Sequence, residues 1–244
     1  MKKFVVIFMS VFLYLMAMIG LCKVTKYQQE KAKKEGRHIP YGPYEALIKR
    51  PMDIVVAGIS LFLLFPFLGI ISLILKFRLG SPILFQQSRL GLNNKVFKIV
   101  KFRTMTNQCG NNGELLPDED RITSVGKWLR LSSIDELPEL INVIKGDMSI
   151  VGPRPLLSKY LERYSEKQKH RHDVRPGLTG LAQISGRNSL SWDEKFEDDI
   201  KYVERITLLG DLRIILKTAM VIWKKEGISA EGSATMPEFM GNKK

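Results

Sequence analysis

The sequence predicts a mainly helical α+β fold attached to a membrane. Three observations carry this: two long uncharged apolar runs, two short strand-like segments split by turn residues, and several stretches with helical apolar spacing. The 244 residues, 45% hydrophobic and 26% charged, suit one moderate domain with a core and some membrane-embedded surface, so disorder is excluded as the default. Lys and Arg number 38 against 25 Asp and Glu, a net charge of +13 that points to anionic partners: phospholipid headgroups, phosphates or nucleic acid. Cys22 and Cys109 fit neither a disulfide framework nor a metal-ligand spacing, and a reducing compartment is the simpler inference.

The first apolar run, Phe4 to Leu21, has the length to cross a bilayer, with Lys2 and Lys3 before it and Lys23, Lys26, Lys31, Lys33 and Lys34 after it. It reads as an uncleaved transmembrane anchor over residues 1–25, with the rest of the chain on the cytoplasmic side. A cleaved signal peptide is the competing reading, but no small-x-small pair precedes a cleavage point, and Leu21 before Cys22 breaks a lipoprotein signal. Residues 26–48, with Gly36, Pro40, Gly42 and Pro43, read as a basic linker.

The second run, Ile54 to Leu75, also has spanning length but holds Pro66 near its middle, and basic pairs flank both ends: Lys49 and Arg50, Lys76 and Arg78. A straight span would strand one pair outside. A Pro-broken helix over residues 52–76 that enters and returns on one face avoids this, and from the residues alone it stands level with an ordinary kinked span.

Beyond the run, Ile83 to Gln86 and Val96 to Phe102 read as strands, joined through Gly91-Leu92-Asn93-Asn94 into a small β-hairpin. Asn107 to Asp120 reads as a mobile loop. Leu137, Leu140, Ile141 and Ile144 form the stripe of an amphipathic helix ending near Gly146, and Pro155 to His172 and Trp192 to Arg205 look helical. Asp211 is positioned to cap a last helix with the stripe Leu212, Ile215, Leu216, Ala219, Ile222 and Trp223, a face for the core or for the bilayer surface. Residues 229–244 read as a flexible tail.

Ser133-Ile134-Asp135-Glu136 is first of all a capping box. Adjacent carboxylates at a helix N-terminus are also held ionised by the dipole, ready to bind a divalent cation or attack an electrophile. Arg130 lies just upstream, and Arg154, between Pro153 and Pro155, has a backbone restricted enough to present a fork to phosphate. Lys101-Phe102-Arg103 could bind phosphates or snorkel beside the membrane. His170-Arg171-His172 lacks a third ligand nearby and reads as solvated surface. No Gly-rich phosphate loop of the P-loop or dinucleotide type occurs.

The chain resembles the small monotopic polyprenyl-phosphate phosphoglycosyl transferases, the bacterial sugar transferases, from about Lys49 to about Lys225. The motifs that carry the resemblance are Lys49-Arg50-Pro51-Met52-Asp53, Gly80-Ser81-Pro82, Gln87, Arg89 and Gly91, and Lys101-Phe102-Arg103-Thr104-Met105. They continue through Asp120-Arg121, Thr123, Gly126, Leu129-Arg130, Ser133, Asp135-Glu136-Leu137-Pro138 and Asn142. The most specific string is Gly146-Asp147-Met148-Ser149-Ile150-Val151-Gly152-Pro153-Arg154-Pro155, and Arg175-Pro176-Gly177-Leu178-Thr179-Gly180 and Gly186-Arg187-Asn188 complete the set.

The resemblance implies a catalytic domain over residues 49–228 that moves a sugar 1-phosphate from a UDP-sugar to undecaprenyl phosphate, releasing UMP. This would be the first membrane step of capsule, O-antigen, exopolysaccharide or glycoprotein glycan assembly, on the cytoplasmic face of a bacterial inner membrane. Asp135 would be the nucleophile, Asp135 and Glu136 would hold Mg²⁺ or Mn²⁺, and Arg130, Arg154, Lys101, Arg103 and Arg187 would bind phosphate. The resemblance also favours a re-entrant helix broken at Pro66. Anionic phospholipid is an expected partner and nucleic acid is not. A direct-displacement transferase and a non-enzymatic anionic-lipid scaffold are the rival readings. Two residues depart from the family pattern: Phe65 stands where a small polar residue is usual, and Glu139 where Gln is usual, adding charge one turn from Asp135.

Overall fold

The computed structural model describes residues 2–186, 189–224 and 238–241. Helix α1, Lys2–Lys34, continues without interruption through the first part of the segment expected to be linker, because Gln28 to Lys34 is a run of strong helix formers. It ends at Gly36, and the non-helical connection shrinks to residues 35–43 before a π-helical turn, Tyr44–Ile48.

Helix α2, Lys49–Leu79, follows directly. Pro66 lies inside it and does not interrupt it, since an internal proline removes one backbone bond and bends a helix without having to end it. Ala57, Leu61, Leu64, Leu68, Ile71 and Leu75 recur at spacings of four and three, and this stripe packs on the rest of the chain. The other face stays apolar and bare: Val55, Ile59, Phe62, Leu63, Phe65, Ile70, Leu73 and Phe77 are all exposed. The helix is long and apolar enough to cross a membrane. Both of its ends are tied to the same body. Near the start, Arg50 donates to the carbonyls of Ile144 and Met148 at 3.2 Å, and Asp53 accepts from Ser149 Oγ at 2.6 Å and the Ile150 amide at 3.1 Å. At the finish, Arg103 donates to the Leu79 carbonyl.

Strands β1, Leu84–Leu90, and β2, Val96–Phe102, pair antiparallel with Leu84 opposite Phe102 and Leu90 opposite Val96, the expected hairpin. Asn93 and Asn94 at its turn take left-handed backbone angles (φ 53° and 61°), which asparagine tolerates better than most residues. The Asn107 to Asp120 stretch folds back through a turn at Gly110–Gly113 and leads into the short helix α3, Asp118–Arg121. Helix α4, Ser124–Leu131, is capped by Thr123, whose hydroxyl accepts from the Gly126 amide. A 3-10 turn, Ile134–Glu139, then leads into α5, Leu140–Lys145. Pro138 tightens the winding here, so the buried stripe becomes Leu140 and Val143, while Ile144, expected inside, is 41% exposed.

Strand β3, Ser149–Val151, pairs in parallel with β4, Gly177–Thr179, a two-stranded unit that no sequence pattern foretold. Where they cross, a Cβ on Gly152 would sit 2.8 Å from the Gly177 amide nitrogen, so glycine is required for this approach. The expected helix over Pro155 to His172 is instead a 3-10 turn at Ser158–Arg163, the short helix α6 at Glu166–Lys169 and a further 3-10 turn at His170–His172. Helices α7, Leu181–Ser185, and α8, Trp192–Glu204, precede α9, Leu208–Lys224.

Asp211 does not cap α9. Thr207 does, accepting from the Gly210 amide at 3.1 Å, while the buried Asp211 carboxylate accepts from Lys49 Nζ at 2.6 Å, Tyr44 at 2.7 Å and Tyr202 at 2.9 Å. The α9 stripe faces outward at Leu212, Leu216 and Trp223, and only Ile214 is buried among its apolar residues. Of the segment expected to be a flexible tail, residues 238–241 are described, and Phe239 is buried in an aromatic cluster with Tyr160, Tyr164 and Phe196. The ring packs on four aromatic neighbours, and its burial offsets part of the cost of ordering these residues.

Candidate functional site

The expected carboxylates lie on the 3-10 turn between α4 and α5, packed against β2. Asn142 of α5 fixes that placement: its side chain accepts from the Val100 amide at 3.1 Å and donates to the Lys98 carbonyl at 2.8 Å, clipping the helix to the strand edge. Lys101, one residue beyond, is thereby brought to the carboxylates. The capping box does not form. Ser133 takes a left-handed conformation (φ 56°) and makes no side-chain cap bond, which frees Glu136 to turn away from the backbone.

Glu136 is clamped by two cations. Lys101 Nζ lies 2.6 Å from its Oε1, and Arg154 donates from Nη2 to Oε1 at 2.6 Å and from Nη1 to Oε2 at 3.5 Å. Burial pushes its carboxyl up, but Arg154 and Lys101 outweigh burial and hold it well below the usual carboxylate range. Lys101 also lies 3.0 Å from Glu139, which is fully enclosed.

Asp135 is buried too, and its situation is opposite. Burial first, and then the charge on Glu136, push its carboxyl up to about 6, against the pull of Lys101, Arg130 and Arg154. Arg130 reaches this region from α4 while its Nε donates to Thr104 Oγ1 at 3.0 Å. That depends on Gly126, because a Cβ there would overlap the Thr104 carbonyl and lift α4 off the segment that follows β2. The site is therefore a buried carboxylate pushed up in pKa beside a neutralised one, ringed by Lys101, Arg130 and Arg154.

One other expected phosphate ligand is not brought here. Arg103 donates to the carbonyls of Pro82 and Leu79, closing the end of α2 onto the hairpin, because the strand ends at Phe102 and its side chain turns back. Arg187 lies outside the described residues. Glu139 does not act on Asp135 as expected. Burial pushes its own carboxyl up to about 7, and its nearest ionic partner is Lys101. The His170-Arg171-His172 string is not solvated surface either: Arg171 and His172 are buried, burial pushes His172 down to about 3, and His170 pairs with Asp173 at 2.8 Å.

Sequence reasoning overlooked Arg89 and Asn142 as contributors to the site, although both fall in the family motifs. Arg89 lies beside Arg154 on the hairpin and donates to Gln87 at 2.7 Å and to the Pro155 carbonyl at 3.4 Å.

For a divalent cation, Asp135 fits as a hard oxygen donor, whereas Glu136 is already committed to Lys101 and Arg154. Among the described residues no group of three or more acidic, His or Cys side chains converges on one point.

A family model described as bacterial sugar transferase matches residues 44–225. The sugar transferase EpsL of Bacillus subtilis is 45% identical over 196 residues, covering 80% of this chain and 97% of that protein. The UDP-glucose:undecaprenyl-phosphate glucose-1-phosphate transferase of Caulobacter vibrioides is 40% identical over 187 residues, 70% of this chain and 68% of that one. The undecaprenyl-phosphate galactose phosphotransferase of Salmonella typhimurium is 38% identical over 201 residues, 74% of this chain but 41% of the longer protein.

Proposed function

Because the chain belongs to the bacterial sugar transferase family, we propose that it moves a sugar 1-phosphate from a UDP-sugar to undecaprenyl phosphate at the cytoplasmic face of a bacterial inner membrane. The observation that carries this reading is the pairing at the centre of the site: Asp135 buried without a clamping partner among the described residues, next to Glu136 held by Lys101 and Arg154.

In the first step an Asp135 oxygen bonds to the β-phosphorus of the donor while the bond from that phosphorus to the UMP oxygen breaks, and UMP leaves with the electron pair. In the second, an oxygen of undecaprenyl phosphate bonds to the same phosphorus, the bond to Asp135 breaks, and the free carboxylate returns. Both attacks bring anions together, and Arg130, Arg154 and Lys101 offset that repulsion. Glu136 serves here as the anchor that orients Lys101 and Arg154. A divalent cation, Mg²⁺ or Mn²⁺, would be held through Asp135 and would supply charge neutralisation to the diphosphate. Turnover is expected to stop in excess chelator and to return on adding either ion, and full turnover in chelator contradicts this.

The deciding experiment incubates the protein with a UDP-sugar labelled in the β-phosphate and no lipid acceptor. A labelled adduct on the Asp135 peptide and a stoichiometric burst of UMP are expected, and both vanish in Asp135→Asn, whose turnover falls by on the order of a thousandfold or more. Rapid turnover with acceptor, but no adduct and no burst without it, would establish direct displacement instead.

The same reading accounts for the membrane geometry. The tethering of both ends of α2 to one body and the bare apolar outer face support a path in which the helix enters and leaves on the same, cytoplasmic side.

A further inference from the structure

Arg154 is held at its backbone as firmly as at its side chain. The carbonyl of Pro153 accepts from the Gly177 amide at 3.0 Å, and that of Leu156 from the Leu90 amide at 3.1 Å. The two carbonyls between them, on Arg154 and Pro155, are met by arginine side chains: Arg171 Nη2 at 2.7 Å and Arg89 Nη1 at 3.4 Å. Four successive carbonyls of a loop containing two prolines are thus satisfied.

Arg171 is the unexpected member of this set. Its side chain is 1% exposed, its Nε and Nη2 donate to one oxygen of Asp199 at 3.0 and 2.6 Å, and Asp199 is 4% exposed. The guanidinium packs against both Tyr164 and Phe196, 5.9 and 5.7 Å from their ring centroids, and these two rings meet edge to face at 5.4 Å. Taking such a pair out of water costs several kcal/mol, and well-packed apolar side chains generally stabilise a fold as much or more. Stability alone therefore does not explain the choice. What an apolar pair could not do is reach into the loop and hold the Arg154 carbonyl.

We propose that Arg171, neutralised by Asp199, is a positioning residue that fixes Arg154 for phosphate binding. Asp199 compensates the charge and orients the guanidinium through two hydrogen bonds, the aromatic rings pack against it, and Nη2 transmits that placement to the backbone of Arg154. Lysine at 171 would keep the charge but could not supply the same fixed fork to Asp199 and the carbonyl together. The proposal rests on the reading of Arg154 as a phosphate ligand, and the test separates the two.

The test is a double-mutant cycle on kcat/KM for the UDP-sugar, using the full chain in detergent or vesicles with Arg171→Lys, Arg154→Lys and the double variant. Arg171→Lys is expected to lose about tenfold to a hundredfold, the scale set by small misplacement of a catalytic group, with its melting temperature little changed. Arg154→Lys is expected to lose at least as much, and the double variant to match Arg154→Lys within about threefold, because a residue that acts only through Arg154 has nothing left to position. Multiplicative losses in the double variant, or wild-type kcat/KM in Arg171→Lys, would overturn the proposal. Wild-type kcat/KM in Arg154→Lys would remove the phosphate-binding reading itself, and the positioning role with it. Should Arg171→Lys lack a cooperative melting transition, the cycle is run with Asp199→Asn, which keeps the side-chain shape and is held to the same outcomes.

Discussion

Glu139 shows how far one side chain's surroundings can depart from its place in the sequence. One turn from Asp135 it was expected to load charge onto the nucleophile, yet it lies enclosed beneath Lys101 and its own carboxyl is pushed up to about 7 by burial. A carboxyl raised in the fold binds its proton more tightly there than in the unfolded chain. Its contribution to stability is complete below about pH 4.5 and is lost as the pH climbs through about 7. Glu139→Gln keeps the shape and removes the titration. Melting in detergent should show the wild type losing more stability between pH 5 and pH 8 than Glu139→Gln does, and equal losses would contradict this account. Asp135, raised to about 6 for the same first reason, slopes the same way in both proteins and cancels from the comparison.

At the scale of the element, α2 is the telling case. Its length and apolar character were readable, and the fold turns Ala57, Leu61, Leu64, Leu68, Ile71 and Leu75 inward as one stripe. Its path was not, because a kinked span and a re-entrant helix share the same apolar length and the same Pro66. The tethers from Arg50, Asp53 and Arg103 tie both of its ends to one body. In a background with Cys22 and Cys109 replaced by serine, Ile48→Cys and Lys76→Cys, both at exposed positions, should be labelled by an impermeant thiol reagent from the same face of sealed vesicles. Labelling from opposite faces would make α2 a span. The α9 stripe was equally legible and equally ambiguous, and the fold turns Leu212, Leu216 and Trp223 outward, where a bilayer surface can cover them.

For the whole molecule, contacts distant in sequence close the structure. Lys49 and Tyr44 meet Asp211 across the fold, and Phe239 completes the cluster of Tyr160, Tyr164, Trp192 and Phe196, two of whose rings, Tyr164 and Phe196, pack on Arg171. Glu238 strengthens the closure through Arg163 and Lys159, both at 2.7 Å, although such exposed pairs contribute little by themselves. Phe239→Ala should cost about 3–5 kcal/mol if the cluster is part of the cooperative fold, read as a clear fall in melting temperature. An unchanged melting temperature would mean that this end of the chain is not coupled to the rest.

The hairpin, the two apolar runs, the helix over Trp192 to Glu204 and the grouping of Asp135 with Glu136, Arg130 and Arg154 were all determined by the sequence alone. Each rests on local periodicity, turn chemistry or an ordered motif, which are properties of neighbours along the chain. Tertiary structure alone decided the parallel pairing of β3 with β4, the loss of the Ser133 cap, the assignment of Arg103 to the end of α2, the withdrawal of Asp211 into a buried ion pair and the burial of Arg171 with Asp199. The reason is common to all five. A polar group's partner is set by what is within about 3 Å after folding, and a buried charge must find its counter-charge wherever the chain brings one.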